Sequence, residues 1–130
     1  DSGQFRAIQK AAIQALKNTE ITERTIQKYS RRFDLLIDAL NEVGFEARKP
    51  KGSFYCYVKA PAGTENGRIF KTAGEFSEFL IKESLISTVP WDDAGNYLRF
   101  SVTFEADSAE KEKAVINEMK ERMKLLKLIF

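Results

Sequence analysis

The sequence contains no histidine and a single cysteine, Cys56. Without histidine, the common zinc sites and every triad or dyad with an imidazole base are excluded. One cysteine cannot form an internal disulfide framework, and it fits a reducing compartment. Glycine is sparse, and neither Gly-x-Gly-x-x-Gly nor a Walker-type phosphate loop occurs. Neither sign of charge prevails: 21 Lys and Arg stand against 19 Asp and Glu, a net +2. Nucleic acid and membrane surfaces are therefore not expected partners. No apolar run approaches the length of a bilayer span and no apolar signal region opens the chain, so a cytoplasmic location is expected. The chain begins at Asp1 rather than Met, as a piece of a longer protein would.

What is present describes one folded domain. With 130 residues, 43% apolar and 31% charged, the chain can bury a modest core without staples. Residues 4–17 place Phe5, Ile8, Ala12 and Leu16 at helical spacing. A longer helix is expected from about Thr22, with Ile26, Tyr29, Phe33, Leu36, Leu40 and Val43 on one stripe and Gly44 as its C-terminal stop. The two helices should pack on each other or on a sheet. Residues 44–49 and 53–60 then read as a hairpin across the turn at 50–52, with aromatics in its core. Residues 61–68 read as a loop. Thr72-x-x-Glu75 is a capping box for a helix through Phe76, Phe79 and Leu80. Residues 85–90 form a short strand, 92–96 a turn and 97–104 a strand. Asp107-x-x-Glu110 opens a last helix lined by Ile116, Met119, Met123 and Leu126. The expected fold is α+β in two layers, order ααββαββα, with a small mixed or antiparallel sheet covered on one side by helices.

Within that frame Arg99 stands out. Leu98, Phe100, Val102 and Phe104 supply the core side of the last strand, which leaves Tyr97, Arg99, Ser101 and Thr103 on the other face. The arginine there is either merely solvated or a planar fork for an anion such as a carboxylate. Trp91, beside Pro90 in a loop, suits covering a ligand or an interface. Adjacent Asp92 and Asp93 suit capping a turn rather than acid–base catalysis, which needs two carboxylates facing one substrate. Lys51, Gly52, Phe54 and Tyr57 only superficially match an RNA-binding strand, because Ser53 stands where an aromatic is required. Ser2 is a candidate helix cap that could also meet an anion.

Taken together, "PKGSFY", "STVPWDDAGNYLRFS" and a terminal amphipathic helix resemble the carboxyl-terminal part of a fold-type I, class I/II aminotransferase. Pro50, Gly52, Phe54 and Tyr55 match one family motif; Val89, Pro90, Gly95, Leu98, Arg99, Phe100 and Ser101 match a second. The resemblance is strongest to the branch that includes LL-diaminopimelate aminotransferases. It implies that residues 1–19 lead from a large domain and 20–130 form the small domain. It also implies that Arg99 binds the substrate α-carboxylate, with Tyr55 and Trp91 on the rim of the same cleft. Trp91 departs from the family pattern, which has glycine after Val-Pro, and so marks an altered substrate loop. The resemblance further implies pyridoxal 5'-phosphate in the intact enzyme, amino-acid and 2-oxo-acid substrates, and a homodimer. The Schiff-base lysine of the family lies upstream of this chain. No catalytic residue and no metal ligand are expected here, and the chain alone should be inactive and should not bind the cofactor tightly. Two alternatives remain at this stage: a pyridoxal-phosphate β-lyase that uses the same arginine, and a free-standing, non-catalytic interaction or small-ligand module.

Overall fold

The computed structural model describes residues 3–130; Ser2 lies outside them. Helix α1 spans Arg6–Lys17 and α2 spans Thr19–Val43, with Asn18 between them. Helix α2 starts earlier than its stripe suggests. It ends in a Schellman motif: Gly44, at φ 116°, and Phe45 donate to the Asn41 and Leu40 carbonyls. Only the second half of α2 is buried, through Arg32, Phe33, Leu36, Ala39 and Leu40. Contrary to expectation, α1 buries none of its residues against the other described elements, and Leu16 is 84% exposed.

Strands β1 (Tyr55–Lys59), β3 (Val89–Trp91) and β4 (Tyr97–Ser101) form an antiparallel sheet in the order β1-β4-β3. Helix α3 (Ala73–Ser84) connects to β3, and α4 (Ala109–Lys124) follows β4. Cys56, Val58, Leu98 and Phe100 turn inward, where Phe33, Leu36, Leu40, Phe45, Phe76, Leu80 and Ile116 complete one core. Helices cover that side of the sheet, as the α+β expectation requires, and the other side is open.

Three expected elements changed for local reasons. Residues 44–49 join no ladder, because the Asn41 side chain takes both backbone groups of Ala47: the Ala47 N–H donates to Oδ1 at 2.8 Å, and Nδ2 donates to the carbonyl at 3.3 Å. The hairpin is therefore absent, and β1 pairs with β4 instead. The aromatics of residues 53–60 do not fill a core either: Tyr57, in β1, is 46% exposed, and Phe54, just before it, is 42% exposed. The strand expected at 85–90 shrinks to Val89–Trp91, because Leu85 (φ 55°) closes α3 and donates to the Ile81 carbonyl. At α4 the N-cap is Ser108, whose Oγ accepts from Lys111, rather than Asp107. A second small sheet went unanticipated: β2 (Gly63–Thr64), inside the expected loop, pairs with β5 (Leu128–Ile129). Gly63 is required there, since a Cβ would stand 2.2 Å from the Arg68 carbonyl oxygen.

Candidate functional site

Arg99 occupies the middle of the central strand, in register with Tyr57 on one side and Val89 on the other. Strand alternation sends its side chain to the open face. One diagonal away on β1 stands Tyr55, which pairs with Ser101, and one diagonal away on β3 stands Trp91, which pairs with Tyr97. The guanidinium carbon lies 4.2 Å from the Tyr55 ring centre and 5.3 Å from that of Trp91. Two aromatic rings therefore flank the cation, which favours it through their quadrupoles and restricts its rotation. Tyr57 meets Trp91 edge to face, centroids 6.0 Å apart and planes at 88°.

Arg99 has no counter-ion among the described residues. Its Nε is buried and donates to no acceptor. A buried donor left unpaired costs about 1–3 kcal/mol. A planar guanidinium held between rings offers its in-plane N–H groups to a carboxylate.

A second arginine shows what a structural one looks like. Arg32, 1% exposed, donates from Nε to Glu112 at 2.7 Å, from Nη1 to the carbonyls of Val102 and Phe104 at 2.9 and 2.5 Å, and from Nη2 to that of Ala106 at 3.1 Å. Its guanidinium also lies 4.4 Å from the Phe104 ring centre. Arg31 forks onto the same carboxylate at 2.7 and 3.1 Å. The Arg31 hydrogen bonds, against the opposing cost of burial and with help from Arg32, hold the Glu112 carboxyl at about 2. Arg32 has spent its donors on protein acceptors, whereas Arg99 has not. Sequence reasoning passed over this triad. The signal lay in Arg31-Arg32 interrupting the apolar stripe of α2 just before Phe33.

The remaining candidates sort clearly. Ser2 falls outside the described residues. Asp92 accepts from the Ala73 and Gly74 N–H groups at 2.6 and 3.2 Å, and so ties the turn after Trp91 to the first turn of α3. Asp93 is exposed. Cys56 is buried, and that burial raises its thiol pKa. Every lysine is exposed except Lys120, which pairs with Glu42 at 2.9 Å. A lysine that forms an imine needs a desolvated or otherwise activated amine. The described lysines, exposed or paired with Glu42, do not fit that role. Among the described residues no cluster could hold a metal ion, and no helix is long and apolar enough to cross a membrane. A concavity of about 760 Å³ lies between α4 and residues 85–87, and Arg99 does not line it.

This fold is that of aminotransferases. Apo-BacF from Bacillus subtilis superposes with a TM-score of 0.74 at 26% identity, over 97% of this chain and 32% of that one. The aromatic aminotransferase from Pyrococcus horikoshii superposes with a TM-score of 0.68 at 33% identity, over 91% and 30%. The chain belongs to the class I and II aminotransferase family, whose family model matches residues 4–115. More particularly, it is 52% identical to the LL-diaminopimelate aminotransferase of Methanococcus maripaludis, over all of this chain and 32% of that protein. The enzyme of the same name from Methanocaldococcus jannaschii is 54% identical, over all of this chain and 33% of that protein. The chain thus spans about a third of the length of the relatives it matches.

Proposed function

We propose that this chain is the small domain of an aminotransferase acting on amino acids and 2-oxo acids, and that Arg99 binds the substrate α-carboxylate. One observation carries the assignment: a ring-flanked guanidinium with a buried, unpaired Nε and no counter-ion among the described residues. The terminal Nη1 and Nη2 groups have no hydrogen-bond partner among the described residues and are not enclosed as Nε is. They can donate to a carboxylate, and a two-point grip limits rotation of the substrate about its Cα. Holding the reacting carbon in one orientation is a large part of what an enzyme contributes to rate. Tyr55 and Trp91 keep water from the faces of the cation, which strengthens its pairing. The LL-diaminopimelate specificity named for the two archaeal relatives is the reading adopted for the intact protein.

In this reading the intact enzyme uses pyridoxal 5'-phosphate, held by residues beyond this chain, and works in the cytoplasm as a homodimer. The isolated chain binds no cofactor and is inactive. Residues 1–19 lead from the large domain and 20–130 form the small one. The exposed apolar side chains of α1 then pack on the rest of the protein. A β-lyase would need the same arginine, but two relatives that match all of this chain are named as aminotransferases. A free-standing module has no observation in its favour.

The test is Arg99→Lys in the intact enzyme with LL-diaminopimelate as amino donor. Lysine keeps the charge and loses the fork. KM should rise by about 10- to 100-fold, the size expected for losing a charged hydrogen bond, and kcat should fall as well because the grip that orients Cα is lost. An unchanged KM removes Arg99 from the carboxylate site.

A further inference from the structure

Trp91 carries one face of the Arg99 site from a weak position. It is the last residue of a three-residue edge strand, it is 41% exposed, and a tight turn follows it at once. An indole there has two side-chain torsions free to swing it into solvent. Its backbone is flanked by fixed neighbours: Pro90 before it has a locked φ, and Asp92 after it is tied to the α3 N-terminus by two hydrogen bonds. The ring itself needs another support.

Tyr57 provides that support. It lies on β1, across the central strand from Trp91, and is the direct cross-strand partner of Arg99. Its ring meets the indole edge to face over β4, at 6.0 Å and 88°. A half-exposed tyrosine on an open sheet face adds nothing to the core, where Cys56 and Val58 on either side already serve. The three side chains form a sequence of contacts across the sheet, with Tyr57 against Trp91, and Trp91 against the Arg99 guanidinium.

We propose that Tyr57 is a positioning residue of the carboxylate site: its ring holds the Trp91 indole over Arg99 and so keeps the guanidinium plane aimed at the substrate. This rests on the assignment of Arg99 as the carboxylate-binding residue. It makes Trp91 a fixed wall of the site and assigns its orientation to β1, the strand on the far side of the arginine.

The test uses the intact enzyme with Tyr57→Leu, Tyr57→Val and Tyr57→Phe, each alone and with Arg99→Lys. Tyr57→Leu should raise KM for LL-diaminopimelate by about 3- to 10-fold, the range of one aromatic pair contact, with kcat within about two-fold. Tyr57→Phe keeps the ring and should recover most of the lost affinity. In the Arg99→Lys background the Tyr57→Leu effect should vanish, because Tyr57 acts through the guanidinium. Tyr57→Val, suited to a strand, replaces Leu if that variant folds poorly. Independently of turnover, 5-fluorotryptophan labelling, with the Trp91 signal assigned by Trp91→Phe, should show one narrow ¹⁹F resonance. That resonance should move and broaden in Tyr57→Leu and not in Tyr57→Phe.

An unaltered Trp91 resonance in Tyr57→Leu overturns the proposal, as does an unchanged KM or a KM effect that persists in full beside Arg99→Lys. Failure of Tyr57→Phe to recover affinity also overturns it, since the hydroxyl would then be the agent. If Arg99→Lys alone changes nothing, the Arg99 assignment itself fails. That outcome is distinct from a Tyr57 that proves silent beside a functional Arg99.

Discussion

Glu112 and Arg99 show how burial decides what a charged residue is for. Glu112, 2% exposed, neutralises Arg32 in the core and is gripped from the rim by Arg31. Breaking a buried pair by removing one partner costs about 3–5 kcal/mol, because the other charge is left uncompensated. Glu112→Gln should therefore lower the urea midpoint by a corresponding amount, measured at neutral pH. The carboxyl titrates at about 2, held down first by Arg31, against an ordinary value of 4.5. A depressed carboxylate contributes stability that is complete above its unfolded value and is lost as pH falls through the folded one. On the order of 3 kcal/mol should therefore disappear between about pH 4.5 and 2. Thermal unfolding across that window should show the loss in the parent protein and a much flatter profile in Glu112→Gln. Arg99 carries the same charge as Arg32 but on the opposite face of the sheet, where no carboxylate of the described residues pairs with it.

At the scale of elements, the helix ends are where local chemistry acts across the chain. Helix α3 is capped twice: Thr72 Oγ1 accepts from Glu75, and Asp92 accepts from Ala73 and Gly74. The first cap is legible in sequence because its partners are three residues apart. The second joins residues eighteen and nineteen apart and is not legible. Asp92→Ala should cost about 0.5–2 kcal/mol in chemical denaturation, more than the exposed neighbour Asp93→Ala. The same distinction separates the expected elements that formed from those that did not. The stripes of α2 and α4 and the alternation of β4 stood out because each repeats over several turns or pairs. Residues 44–49 look like a strand by composition, yet one side chain, Asn41, claims the backbone groups a ladder would need. Strand β2 is two residues long; it is bridged locally by Ile69, but its pairing with β5, some sixty residues on, has no local signal.

For the whole molecule, the chief departure from a self-sufficient domain is α1. Phe5, Ile8, Ile13 and Leu16 are 71, 58, 53 and 84% exposed, and Ile21 and Ile26 extend the apolar surface along the outer half of α2. A patch of that extent marks an interface, and the proposed occupant is the remainder of the aminotransferase. Ile13→Asp and Leu16→Asp should each lower the thermal midpoint of the intact protein, by several degrees for each kcal/mol lost. They should leave KM for the amino donor unchanged, because the rings against the Arg99 guanidinium belong to Tyr55 and Trp91 and not to α1. A substituted enzyme with an unchanged midpoint would show that this helix face stays in water.

By itself the sequence determined the class of fold and the side of the sheet on which Arg99 emerges. Both follow from periodicity, a property of neighbours along the chain: apolar residues every three or four positions make helices with one buried stripe, and alternation makes a strand with one wet face. The set of motifs around Arg99 also pointed to the family that the comparisons then showed. Only the tertiary structure decided which arginine is spent and which is free, where the Trp91 indole rests, and that Tyr57 stands beneath it. Those outcomes depend on groups from separate strands and helices meeting within a few ångströms. Hydrogen bonds and ring contacts act over that range, whereas the spacing of residues in a chain carries no record of it.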